Sequence, residues 1–385
     1  MFKNILTQVS RILVGGLFIF SGVIKMNDPV GFGFKLEEYF GEDVLHLPFL
    51  QPYALHLAVF LVILEVMLGL FLLLGSFKRF TLWSIAGMMA FFTFLTFYSA
   101  YFNKVTDCGC FGDAIPLTPW ESFSKDVVLS ILIGVLIWGR GHLHPWMPSR
   151  LNHIKIASVM IFCLMFTQHV LRHGPVWDFR AYKPGTDVMR AMMSAEDLGL
   201  DPPKYETYFT LQGPEGAKVE VSGTDYVADK WYERADLILL EEGTYSKKIA
   251  EGYEPPIHDF SIVIEGEDRT EDFVNAPEVL WLIAYDFSKA NRAELVRLVK
   301  ALDVVIQKDP SVKVVGMTAS SDEEIAALKA ETGCTFPWAI MDGTALKTVQ
   351  RSNPGVTYLT EGVIQNHWHY NDAIFLNVSN LAWPE

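Results

Sequence analysis

Cysteine is scarce in this sequence. There are four in 385 residues, at 108, 110, 163 and 334, and only Cys108 and Cys110 lie close together. A basic excess is also missing: 31 Lys and Arg stand against 45 Asp and Glu, a formal net charge of −14. That balance argues against nucleic acid as a partner and for simple solubility. The first 171 residues lack a net charge, with 11 Lys/Arg against 10 Asp/Glu, whereas residues 172–385 hold 20 and 35. An uncharged apolar half joined to an acidic polar half reads as a membrane domain carrying a soluble one. The first apolar run also lacks a small-residue cleavage site, since Lys25-Met26-Asn27-Asp28-Pro29 follows it. It is therefore read as a retained span and not as a removed leader.

Five apolar runs approach the ~20 residues needed to cross ~30 Å of hydrocarbon. They cover about 5–25, 54–75, 80–101, 122–139 and 154–171. Lys3, Lys78, Arg79, Arg140, Arg150 and Lys155 fall on one side of these spans, and Lys25, Lys35 and Lys104 on the other. The bias of Lys and Arg to cytoplasmic loops puts the N-terminus inside. Five crossings then place residues 102–121 and the chain after about 172 outside. In a bacterium this means an inner-membrane protein with a periplasmic C-terminal domain, where thiols can oxidise.

Two ionisable residues stand within the early spans, Arg11 and Glu65. Such groups cost ~2.5–3.5 kcal/mol each at a helix centre, so they pair or serve function. A helix-fixing Arg11–Glu65 ion pair and a polar element of a quinone or proton path are both open. Cys163, among Ile, Phe, Leu and Met, reads as a small buried apolar residue.

The loop Cys108-Gly109-Cys110-Phe111-Gly112-Asp113 carries the chemistry. A disulfide between Cys108 and Cys110 would close a very small ring, with Gly109 supplying backbone freedom. Strain of that kind raises the reduction potential and favours an exchanging disulfide. A loop staple, or two idle thiols, is the alternative. Two cysteines are too few for a metal site, and His142 and His144 belong to the opposite side.

Phe20-Ser21-Gly22-Val23-Ile24-Lys25 with Asp28-Pro29, and Glu65 followed by Gly69 and Gly75, resemble the first two helices of DoxX-like membrane proteins. Cys108-Gly109-Cys110-Phe111-Gly112 before a final helix resembles the redox-associated branch typified by the methylamine-utilisation protein MauE. The resemblance covers about residues 5–140. It implies a four-helix membrane bundle linked to thiol–disulfide chemistry in the maturation of exported proteins. It also admits quinone as an electron partner, without residues here that single it out.

In the acidic half, Tyr205–Leu211 and Ala217–Val221 suggest a hairpin. After Pro255 the order becomes regular: strands at Val279–Tyr285 and Val312–Thr318, helices at Asn291–Leu302 and Asp322–Thr332. A helical Ala345–Arg351 and the strands Val356–Leu359 and Val363–His367 complete a mixed sheet covered by helices. This order resembles thioredoxin-like domains of the TlpA type over residues 255–377. Pro354 fits the position where that family carries a cis-proline, the one bond type at which cis is cheap. Ser288-Lys289-Ala290-Asn291 stands where thioredoxins have Cys-x-x-Cys, so dithiol exchange at that corner is absent. Cys334 is either a half-buried loop cysteine or a partner for Cys108 or Cys110. His367 and His369 share one face of a strand, which reads as a solvated sheet edge ahead of a metal site.

The expected organisation is therefore an α-helical membrane bundle at 1–140, an inner loop and fifth span at 141–171, a linker subdomain at 172–254 and a thioredoxin-like α/β domain at 255–385. Two functions compete. One is thiol–disulfide exchange through Cys108 and Cys110 for exported proteins. The other is a non-catalytic scaffold presenting a degenerate thioredoxin-like domain to an envelope complex.

Overall fold

Six helices form the first part of the chain: α1 (Phe2–Asn27), α2 (Pro29–Phe40), α3 (Ala54–Leu74), α4 (Lys78–Phe102), α5 (Pro119–Trp138) and α6 (Ser149–His173). The computed structural model describes residues 2–42, 44–102, 111–145, 148–214, 216–258 and 260–373. Cys108 and Cys110 lie outside the described residues.

Among the described residues four stretches are long and apolar enough to cross a membrane, Phe2–Asn27, Pro48–Leu74, Lys78–Phe102 and Arg150–His173, so one of the five expected spans is not among them. The run expected at 122–139 is helix α5, which carries Glu121, Lys125 and Asp126 and packs on α4 and α1. Its start is set locally. Thr118 and Glu121 form a capping box, and Pro119 occupies the first turn, where its missing N–H costs nothing. Helix α1 lies close against α3 because Gly22 leaves no side chain in the way; a Cβ there would sit 2.7 Å from Val66. Small residues at such crossings let apolar helices pack in lipid. Helix α2 was not foreseen. Asp28 caps it by accepting from the Gly31 N–H, and it packs on α3.

Residues 186–260 form a compact unit of their own. It holds a short helix α7 (Val188–Met192), strands β1 (Lys204–Gln212) and β2 (Lys218–Ser222), helix α8 (Gly223–Ala228) and a long strand β3 (Ile238–Ala250). They make an antiparallel sheet ordered β2-β1-β3, so the expected hairpin is present, and the unassigned stretch after Asp236 supplies its third strand.

Residues 261–385 belong to the same unit as the membrane helices. Strands β4 (Val263–Ile264) and β5 (Glu267–Asp268) make a small hairpin, followed by helix α9 (Thr270–Val274). Then come β6 (Val279–Ile283), α10 (Arg292–Lys308), β7 (Lys313–Thr318), α11 (Asp322–Thr332), β8 (Trp338–Ile340), α12 (Gly343–Val349), β9 (Gly355–Thr360) and β10 (Val363–His369). The sheet order is β10-β9-β6-β7-β8. β6 pairs parallel with β7 and antiparallel with β9. Every residue of β6 is buried, as a central strand covered on both faces requires. Leu280 and Leu282 pack on one side with Leu295, Leu298 and Leu302 of α10, while the Trp281 indole donates to the Phe273 carbonyl of α9 at 2.7 Å.

Gly316, in β7, faces the Trp338 ring of β8, and a Cβ at Gly316 would fall inside it. Overpacking of a rigid ring in a dense core costs ~1–3 kcal/mol or more. Gly316→Val is therefore expected to lower the urea midpoint by about that amount, read by tryptophan fluorescence. An unchanged midpoint would contradict the packing.

Candidate functional site at the membrane face

The expected Arg11–Glu65 pair does not form. Arg11 is fully buried, and its guanidinium donates to the Leu72 carbonyl at 2.9 Å, the Leu73 carbonyl at 2.8 Å and the His144 carbonyl at 3.1 Å. These are carbonyls at the C-terminal end of α3 and in the loop after α5, so Arg11 satisfies backbone oxygens that helix geometry leaves orphaned. Glu65 pairs instead with Lys25, Nζ to Oε2 2.6 Å, and both side chains are buried. Lys25 stands near the end of α1, and its Cβ tilts back toward the helix N-terminus, into the bundle.

The opposite end of the bundle meets the thioredoxin-like part. Arg351 follows α12, and its side chain is 9% exposed. Its Nε donates to Asp28 Oδ2 at 2.8 Å and its Nη2 to Asp113 Oδ2 at 2.8 Å. Asp28 lies between α1 and α2; Asp113 stands three residues after Cys110. Burial works against the Arg351 charge, but the two carboxylates outweigh it and hold its pKa above the usual value. Beside it Lys347 reaches Glu37 of α2 at 3.3 Å and lies 4.6 Å over the Phe34 ring. Phe34 meets Tyr285 edge-on at 5.8 Å. At the end of α6, His173 contacts Asp372 and the Arg172 carbonyl accepts from Asn371. A cavity of about 620 Å³ opens here, lined by Asp28, Glu37, Asp113, Trp177, Lys347 and Arg351 among others.

Arg351 leads into the loop that ends at Pro354, and the Asn353–Pro354 bond is cis, as expected for that position. The Asn353 carbonyl accepts from the Asn291 N–H at 3.0 Å, and the Asn353 amide donates to the Asp286 carbonyl at 2.8 Å. Ser288-Lys289-Ala290-Asn291 thus faces this loop, with Ser288 tied to Asp286 and Asn291 capping α10. The corner is built of caps and turns, with no thiol. Phe111, the first described residue after Cys110, is buried against Phe20 at 5.8 Å, and the Lys125 ammonium lies 4.8 Å over its ring.

Cys334 is elsewhere. It packs on the sheet core, its thiol donates to the Phe336 carbonyl at 3.6 Å, and burial pushes its pKa up. Little thiolate forms in that setting, which makes it a poor exchange partner. Cys163 is fully buried among Met26, Val62 and Val66.

His367 and His369 do not lie on a solvated edge. The segment ending at Gly185 covers β10: the Gly185 N–H donates to the Ile364 carbonyl at 2.7 Å, and His367 Nε2 donates to the Tyr182 carbonyl at 2.6 Å. Nδ1 lies 2.8 Å from the Thr357 hydroxyl, which donates to it when the ring is neutral. Burial, helped by the nearby Arg180 charge, pushes the His367 pKa down to about 3, and burial lowers His369 to about 4. Unfolded histidine binds a proton near pH 6.5, so below that pH the unfolded chain holds more protons than the folded one. The stability these rings contribute is complete above about pH 6.5 and is lost as pH falls toward their folded values. Between pH 7 and pH 5 the loss at His367 is expected to be about 1–2 kcal/mol, seen as a urea midpoint that falls less in His367→Gln. Equal falls in the two proteins would contradict the buried neutral ring.

Residues 3–139 match the family described as Methylamine utilisation protein MauE. Over 141 residues the chain is 29% identical to Protein TlpB of Flavobacterium psychrophilum, covering 35% of this chain and 37% of that protein. The chain thus spans little more than a third of the length of this curated relative. A thioredoxin-like protein from Bacteroides caccae, known from a crystal structure, aligns over 90% of this chain and 92% of its own at 8% identity and a TM-score of 0.21. That likeness carries no structural argument. The thioredoxin-like fold stands on strand order and on the place of Pro354 between α12 and β9. Residues 3–139 thus resemble a MauE-type membrane domain, and the described residues after 261 have the strand order of a thioredoxin-like domain.

Proposed function

We propose that the membrane half supplies the thiols and the thioredoxin-like half the docking surface of one thiol–disulfide exchange protein. The observation that carries this reading is the Arg351 clamp. It ties the thiol-free corner of the thioredoxin-like domain to Asp113, three residues from Cys110.

In the exchange, a client thiolate attacks the Cys108–Cys110 disulfide, whose S–S bond breaks as a mixed disulfide forms. A second client thiol, after losing its proton, resolves it. The client gains a disulfide, and the loop gains two electrons and two protons as a pair of thiols. The proposed setting is the bacterial inner membrane with the N-terminus inside and the C-terminal domain in the periplasm. The proposed clients are exported proteins or members of an envelope complex. The distribution of Lys and Arg supports that orientation.

The void beside Lys25, Glu65 and Asp126 measures about 40 Å³, room for roughly three waters and not for a quinone ring. Ser288 and Asn291 at the corner favour the scaffold reading instead, in which the cysteines only staple a loop.

Serine replacement separates the two. Cys108→Ser and Cys110→Ser are expected to express normally and to abolish disulfide transfer to exported proteins, and Cys110→Ser should trap a mixed disulfide visible by mass spectrometry. Wild-type levels of transfer in both variants would leave the scaffold reading in place.

A further inference from the structure

One small cavity inside the bundle is lined by four ionisable side chains: Lys25 of α1, Glu65 of α3, and Lys125 and Asp126 of α5. Thr96 of α4 donates to Asp126 Oδ2 at 3.0 Å, and Lys125 Nζ lies 3.1 Å from Asp126 Oδ1. Lys25 Nζ sits 2.6 Å from Glu65 Oε2 and 4.9 Å from the Phe92 ring. Ser21 and the Tyr39 hydroxyl complete the polar lining, and no other titratable group lines it. Glu65 Oε2 and Asp126 Oδ1 are fully buried, and each faces an ammonium without accepting an aligned hydrogen bond. A void of about 40 Å³ with this many polar partners meets the conditions for internal water.

Two ion pairs would fix the helices without sharing a cavity. Here the two carboxylates and two ammonium groups line one cavity. Its connection to the outside is one-sided. Asp126 lies seven residues into α5, about 10 Å from the end that faces the thioredoxin-like domain. Lys125, whose side chain is 23% exposed, leads from the cavity to the Phe111 ring at that end. Toward the other face α1, α3, α4 and α5 contribute apolar side chains, Val14 and Phe18, Leu68 and Leu72, Ile85 and Met88, Ile133 and Leu136, all buried in one cluster. Charged groups kept inside a membrane bundle at this cost pair with one another and mark proton relays.

We propose that Lys25, Glu65, Lys125 and Asp126 form a proton-binding site that exchanges with the thioredoxin-side face only. It is a store and not a transmembrane path, and it does not depend on the thiol-exchange reading.

The test uses the full chain in liposomes of one orientation and infrared difference spectra after a pH jump on either side. A carboxylic-acid carbonyl band is expected to follow pH on the thioredoxin side and to ignore pH on the other. Asp126→Asn or Glu65→Gln should remove or shift the band. Lys125→Met should keep it and slow its response by roughly 100-fold, the scale of a lost positioned proton carrier. No pH-dependent band in the wild type, a band that follows the other face, or one unchanged in both carboxamide variants would overturn the proposal. The two wild-type jumps decide even where a variant fails to fold.

Discussion

Replacing Arg351 with alanine is expected to release the thioredoxin-like domain from the bundle. Removing one partner of a buried ion pair costs ~3–5 kcal/mol because the other charge is stranded. The side chains of Asp28 and Asp113 are 21% and 37% exposed, so water recovers part of that loss, and about 2–3 kcal/mol is expected here. The Lys347–Glu37 pair, with both partners more than a quarter exposed, contributes ~0–1 kcal/mol and cannot hold the domain alone. Faster hydrogen exchange around Asp113 and α12, with loss of disulfide transfer, would report the release. Arg351→Lys should rescue only part, because one ammonium cannot present the planar fork that reaches two carboxylates. Exchange and transfer both at wild-type levels in Arg351→Ala would remove the clamp from the mechanism.

A second large effect is expected within the membrane. Glu65→Leu leaves the Lys25 ammonium buried without its close carboxylate, with the Phe32 and Phe92 rings beside it and Asp126 across the small cavity. That variant should lose ~3–5 kcal/mol, whereas Lys25→Leu/Glu65→Leu should recover most of it, since an apolar replacement of the whole pair restores packing. The difference can be read as unfolding midpoints in mixed micelles. A double variant no more stable than Glu65→Leu would show that the pair does not couple.

The thioredoxin-like half was legible because its helices and strands keep one period each. Val279–Ile283 is a pure apolar run, and α10 repeats its apolar positions over four turns. β3 escaped because Glu241, Glu242 and Gly243 interrupt any alternation. α2 escaped because Gly31 and Gly33 are weak helix formers, and only its packing on α3 makes them acceptable. The misassigned partner of Glu65 has a simple cause. Pairing between two spans depends on their relative height, which neither span's sequence encodes, and Lys25 reads as a loop charge when its helix is drawn one turn short. Arg351 carried no local signal at all; its two carboxylates lie 323 and 238 residues away. Only its place three residues before Pro354 could have drawn attention to it.

The covered flank of β10 has a consequence for how another polypeptide could be held. An exposed sheet margin invites capture of an extended peptide as an added strand, with main-chain bonds supplying affinity. On this side the Gly185 N–H already occupies the Ile364 carbonyl, and the Tyr182 carbonyl is held by the His367 ring. On the other, β8 offers three residues among those described. An incoming chain would therefore be gripped by side chains and loop ends, so selection would act on its surface chemistry and leave its capacity to extend irrelevant.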